Sequence, residues 1–184
     1  MARNARDIPI DDARLEKLDG DALDKAAVER ALQSVDAVIQ SIGVAITPEA
    51  ILKGTTLFSR STRVLVDAMR ARGVRRLIVV TGFGAGDSRG KGGFLYASVM
   101  FPLLLKRIYD DKDVAEQTVR ASGLDWTIVR PGGLTNGPAT GRYQVLLDPA
   151  SWRAGIISRA DVADFLAKEL NVTAHIGKTP ELVS

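Results

Sequence analysis

The apolar positions of this chain change their period repeatedly along its length. Short runs dense in β-branched residues, such as RLIVVT at 76–81 and WTIVR at 126–130, alternate with stretches whose apolar residues recur at helical spacing. That alternation predicts βαβ units and a parallel sheet. In chain order it predicts a weak first strand over 15–18, a helix over 24–34 with Asp24 as its N-cap, and a buried strand over 37–42. A long helix over 56–72, closed by Gly73, leads into a strand over 76–81. A glycine-rich loop at 82–93 precedes helical segments near 94–108 and 112–121, and a strand over 126–130 is stopped by Pro131 and two glycines. Residues 143–147 and 155–158 are short strand candidates, 160–170 a terminal helix and 180–183 an edge strand. The expected total is about five sheet strands with crossover helices, an α/β fold with no repeat or low-complexity tract. In the long helix Leu57, Val64, Leu65, Val66 and Met69 face a core, which leaves Arg60, Arg63, Arg70 and Arg72, with Arg75 and Arg76 after it, in solvent.

Composition narrows the class. With 184 residues, 46% hydrophobic and 26% charged, the sequence reads as one ordinary globular domain with a single core. The absence of cysteine excludes disulfides, thiolate metal sites and cysteine nucleophiles, and makes a cytoplasmic setting the expectation. The N-terminal residues 1–14 contain no signal-like apolar stretch. The longest apolar run, 94–105, is about half the length needed to span a bilayer and contains Pro102, so no membrane segment is expected. One histidine, His175, rules out a histidine-rich zinc site and reads as a surface or loop residue. Residues 51–110 carry 11 Lys and Arg against 3 Asp and Glu, a local excess that would attract phosphate-bearing ligands. Most of it lies on the solvated face of the long helix, and no aromatic residues are interleaved for base stacking, so nucleic acid is not an expected partner.

Two glycine clusters fall at predicted C-terminal strand ends, where open α/β sheets bind ligands. The first, TGFGAGDSRGKGG at 81–93, fits neither phosphate-binding pattern. A GxGxxG finger would need glycine at 87 or 89, where Asp87 and Arg89 stand, and a Walker A loop would need glycine at 85 and Ser or Thr at 92, where Ala85 and Gly92 stand. It reads equally as a ligand-covering segment or a plain connection. The second, RPGGL at 130–134, fits close ligand approach or a simple turn. Lys112, with Glu116 four residues on, reads either as a ligand for ribose hydroxyls or as half of an exposed helical ion pair.

Taken in order, ARN (2–4), DGDALD (19–24), DAVIQSIG (36–43), RRLIVVTGFGAGDS (75–88), the Lys112 helix, SGLDWTIVRPGGL (122–134) and IISRADVADFL (156–166) resemble an atypical short-chain dehydrogenase/reductase. More narrowly they resemble the NAD(P)H-binding flavin reductase and biliverdin-IXβ reductase-like branch. The resemblance implies a Rossmann-like doubly wound parallel sheet carrying NADP(H) on its C-terminal edge, with hydride passing to a flavin-like or other conjugated small molecule. It places Arg3 at the adenosine 2′-phosphate, Asp21 and Ala22 by the adenine, and Ser41, Ile42 and Gly43 by the ribose and pyrophosphate. It puts Thr81 and Gly82 beside the nicotinamide, Lys112 on its ribose, and Pro131, Gly132, Gly133 and Leu134 at the carboxamide.

The chain departs from that family in two ways. The family opens with a strand, a GxxGxxG turn, a helix and a second strand, and this sequence starts at the end of that unit, roughly 30 residues in. The expectation is a sheet truncated at its N-terminal side, in a fragment of a longer polypeptide. The family's Tyr-x-x-x-Lys pair is also missing: Tyr109 precedes Lys112 by three residues, and Ile108 holds the tyrosine's place. Gly82 and Gly133 stand where the biliverdin reductase-like proteins carry serine and histidine, which argues against biliverdin. Thr81 and Lys112 remain as catalytic candidates in supporting roles. The rival reading is a non-enzymatic NADP(H) sensor resembling NmrA-like regulators; a sugar-nucleotide epimerase relative fits less well.

Overall fold

The computed structural model describes residues 1–91 and 105–184. Five strands form the main sheet: β1 (Ala37–Gln40), β2 (Arg76–Val80), β3 (Asp125–Pro131), β7 (Glu181–Val183) and β5 (Gln144–Leu146), in that spatial order. The first four run parallel, and β5 closes one side antiparallel to β7. Two further short strands, β4 (Gly133–Thr135) and β6 (Ile156–Ser158), pair with each other in parallel. Among the described residues five α-helices accompany them: α1 (Lys25–Ala31), α2 (Pro48–Lys53), α3 (Leu57–Arg72), α4 (Lys106–Arg120) and α5 (Arg159–Glu169).

Strands β2 and β3 are covered on both faces, which is why they read as continuous apolar runs rather than alternations. Leu77, Val79 and Ile128 point to one face and meet Val66 and Met69 of α3, Val119 of α4 and Val28 of α1. Ile78, Val129 and Leu182 point to the other and meet Val162, Phe165 and Leu166 of α5. Leu77 and Ile78 are wholly withdrawn from water, each contributing about 2 kcal/mol of hydrophobic stabilisation. This is the doubly wound parallel arrangement expected from the sequence.

Helix ends follow local chemistry. Asp24 caps α1 by accepting from the Ala26 amide, and Gly73 ends α3 in the left-handed conformation that glycine adopts without a Cβ penalty. The expected helix over 24–34 stops sooner, at Ala31, because Ser34 turns to positive φ. Helix α2 was not foreseen, although Thr47 as N-cap, Pro48 at the first position and Gly54 after the last spell it out.

Three expectations are corrected. Residues 15–18 form no strand: a single bridge joins Ala2 to Asp19, and Leu15 is exposed, so no buried face extends the ladder. The segment Glu181–Val183 is not at the edge but between β3 and β5, with all three residues buried. Arg76 is not solvated, because as the first residue of an interior strand it lies beside the buried Glu169, 3.0 Å away, and Thr127. The helix expected over 94–108 falls largely outside the described residues; its end, from Lys106, is the start of α4. Among the described residues no helix is long and apolar enough to cross a membrane.

Because β1, β2 and β3 are parallel neighbours, the segments that leave their C-terminal ends emerge on one edge of the sheet. Residues 41–43, 81–82 and 132–134 therefore share that edge, over which α4 lies.

Candidate functional site

Thr81, the residue after β2, is held by both of its polar ends. Its carbonyl accepts from the Lys112 ammonium at 2.6 Å, and its hydroxyl donates to the Glu116 carboxylate at 2.8 Å. Lys112 and Glu116 are one turn apart on α4, so both reach the same strand end. Glu116, only 2% exposed, is gripped by Arg130 of β3, whose Nε and Nη2 donate to its two oxygens at 3.0 and 2.6 Å. Arg130 is fully buried; its Nη1 donates to Asp87 at 2.6 Å, and its guanidinium lies 5.1 Å from the centre of the Trp152 ring. The reading of Lys112 and Glu116 as an exposed helical pair is thus corrected. Glu116 points inward because α4 presents it to the fully buried Arg130 guanidinium of β3.

Electrostatics follow this arrangement. Burial works against the Arg130 charge, yet the bonds and field of Glu116 and Asp87 raise its pKa above the ordinary arginine value. Burial opposes ionisation of Asp87 too, and Arg130 more than offsets it. Lys112 behaves otherwise: desolvation pushes it down to about 8, and the Glu116 charge restrains the fall. Its ammonium lies 4.4 Å from the Tyr109 ring centre and 5.2 Å from that of Phe58, faces that attract a cation. Phe58, Gln40 and Thr62 line a narrow cleft with Thr81 and Lys112. Gln40, buried at the end of β1, is fixed by the hydroxyls of Ser61 and Thr62.

Gly82 has φ +146°, and a Cβ there would lie 2.9 Å from the Tyr109 hydroxyl. The space a side chain would take at 82 is filled by Tyr109, which the three-residue spacing still turns to the same face as Lys112. The described part of the glycine loop uses its amides internally. Gly84 donates to Ser88, Ala85 to Gly82, Arg89 to Gly86 and Gly86 to Asp113. Arg89 pairs with Asp110 and Asp113 on α4, pinning the segment as a fixed connection rather than a phosphate cradle. Burial raises the Asp113 pKa despite these donors.

The remaining sequence candidates separate into two groups. Ser41, Ile42 and Gly43 leave β1 at the same edge, with Ile42 packed against the Phe58–Ile108–Ala115 cluster. Pro131 ends β3 and accepts from the Phe83 amide; the Gly132 and Gly133 amides are taken by Leu182 and Gly155, and Leu134 is exposed in β4. Arg3 on one side, and Asp21 and Ala22 on the other, follow the two strands of the parallel Ala2–Asp19 bridge in the N-terminal segment. Sequence reasoning missed Glu116, Arg130, Asp87 and Gln40. A signal existed for Arg130, since a charged residue inside a buried strand run must find a partner. His175 is more than a loop residue: its Nδ1 lies 2.7 Å from the buried Glu169. Among the described residues no group of His, Cys, Asp and Glu is placed to hold a metal ion.

A family model described as NAD(P)H-binding matches residues 1–173. A chloroplastic uncharacterized protein of Arabidopsis thaliana is 34% identical over 121 residues, covering 65% of this chain and 42% of that protein. The chain spans about half the length of the curated relatives it matches. Among solved structures, ChuY of Escherichia coli O157:H7, an anaerobillin reductase, is 29% identical with TM-score 0.71, covering 90% of this chain and 73% of ChuY. A short-chain dehydrogenase/reductase of Veillonella parvula in complex with NADP shares the fold at TM-score 0.81 and 20% identity, over 100% of this chain and 80% of that one.

Proposed function

This chain belongs to the NAD(P)H-binding family, and from that membership we propose that it is an NADPH-dependent reductase acting on a flavin-like or other conjugated small-molecule acceptor. The observation that carries the reading is the convergence of Thr81 and Lys112 at the C-terminal edge of a parallel sheet. An ammonium has three donors, and Lys112 uses one, on the Thr81 carbonyl, among the described residues; two remain for a ribose diol. The Thr81 hydroxyl gives its hydrogen to Glu116 and keeps its lone pairs for an amide N–H. These residues fit the nicotinamide ribose and carboxamide, with Gly82 and Pro131–Leu134 alongside, Ser41–Gly43 toward the pyrophosphate, and Arg3, Asp21 and Ala22 toward the adenosine end. NADPH, when bound, supplies the hydride. The protein's part is to hold and orient the reactants.

The test is NADPH binding followed by NADPH consumption with added FMN or a quinone. Binding with turnover is expected, and Lys112→Met should weaken binding about tenfold, the loss of a charge-assisted hydrogen bond. Tight binding with no turnover on any conjugated acceptor would replace the reductase by a cofactor sensor. That second reading has one observation in its favour: the Thr81 hydroxyl is committed to Glu116 and so donates no proton to an acceptor.

A further inference from the structure

Thr81 is clamped by one helix at both ends, through Lys112 on its carbonyl and Glu116 on its hydroxyl. The second arm of the clamp is built with more care than stability requires. Glu116 is fixed by both Nε and Nη2 of Arg130, and the third guanidinium nitrogen is held by Asp87. A buried ion pair of this kind generally adds little net stability over well-packed apolar residues. What apolar residues would not supply is a fixed negative charge one turn from a desolvated ammonium, together with an acceptor for the Thr81 hydroxyl.

We infer that Glu116, immobilised by Arg130, is a positioning residue of the cofactor site: it turns the Thr81 hydroxyl so that its lone pairs face the ligand and sets a fixed negative charge one turn from the Lys112 ammonium. The inference rests on the proposed contact of Thr81 and Lys112 with the nicotinamide end of the cofactor. The groups around Lys112 leave this task to Glu116. On α4, Tyr109 brings its ring to 4.4 Å from the ammonium, Asp111 is turned to the amides of Phe58 and Ser59, and Asp113 to Gly86 and Arg89. From α3 comes the uncharged Phe58 ring, and from the end of β2 the Thr81 carbonyl. Arg130 faces Glu116, Asp87 faces Arg130, and Arg120 lies 3.7 Å from Glu116 at the rim.

The experiment follows the Lys112 titration directly, from the 13Cε resonance of lysine-labelled protein, assigned by its disappearance in Lys112→Arg. NADPH affinity is measured in parallel from pH 6 to 9. In Glu116→Gln, which keeps the shape and removes the charge, the Lys112 midpoint should fall by about one pH unit. NADPH affinity at pH 7.5 should then drop about threefold, with little loss at pH 6 where Lys112 is charged in both proteins. In Glu116→Asp, which keeps the charge but withdraws it from Thr81, the midpoint should stay and the affinity fall at every pH. That variant carries the test should the glutamine variant not fold. Native protein that binds NADPH while both variants keep the native midpoint and affinity overturns the inference and leaves the cofactor reading standing. Native protein that binds no NADPH at any pH overturns both.

Discussion

Arg130 is the residue on which the site's polar interior depends. Its guanidinium is fully buried and neutralised by Glu116 and Asp87, so removing it strands a buried carboxylate. Arg130→Met should therefore lower stability by about 3–5 kcal/mol, read as a shifted midpoint in urea unfolding. Glu181 is the opposite case. It pairs in register with Arg130 on the neighbouring strand and is fully buried, with one oxygen taking the Arg153 amide and the other without a hydrogen-bond partner among the described residues. Burial raises its pKa, so the folded protein holds the proton more tightly than the unfolded chain. The stability this confers is fully present below the unfolded carboxyl value near 4.5 and is lost as pH rises through the folded value. Glu181→Gln should abolish that decline, leaving stability near the native level in acid and above it at neutral pH, as thermal unfolding at several pH values would record.

At the scale of elements, α3 and α4 are joined by a cap that crosses between them. Thr56, the N-cap residue of α3, makes no side-chain bond there, and Asp111 of α4 instead accepts from the Phe58 and Ser59 amides at 2.8 and 3.3 Å. Asp111→Ala should cost about 1–2 kcal/mol in calorimetric unfolding, the range for a lost N-cap, and should loosen amide protection in the first turn of α3. The start of α3 was legible in the sequence to within a residue, because helical periodicity is local. Its actual cap was not, because Asp111 is 53 positions from Phe58 and only the packing of the two helices brings them together. The same distinction explains the third parallel pairing. The run over Glu181–Val183 announces a strand, but insertion between β3 and β5 follows from how the chain returns across the sheet.

For the molecule as a whole, the parallel order of β1, β2 and β3 is what gathers a single ligand-facing edge. A ligand bound there adds its binding free energy to folding. NADPH at a hundred times its Kd should stabilise the protein by about 2.7 kcal/mol, and a melting temperature unmoved by saturating NADPH would contradict the proposed cofactor role. The sequence alone determined the α/β class, most helices and strands, and the fact that Thr81 and the RPGGL segment lie at strand ends; it started a helix at Lys112, which instead lies inside α4. The features it determined depend on period, capping and turn chemistry, which act within a few residues. Tertiary structure alone decided that Lys112 and Glu116 both turn inward to Thr81 rather than pairing with each other in solvent, that Arg130 meets Glu116, and that Asp87 completes the cluster. The partners of Glu116 and Arg130 lie 35, 14 and 43 positions apart, and their meeting is fixed by strand register and by the seat of α4 on the sheet, neither of which leaves a mark on local sequence.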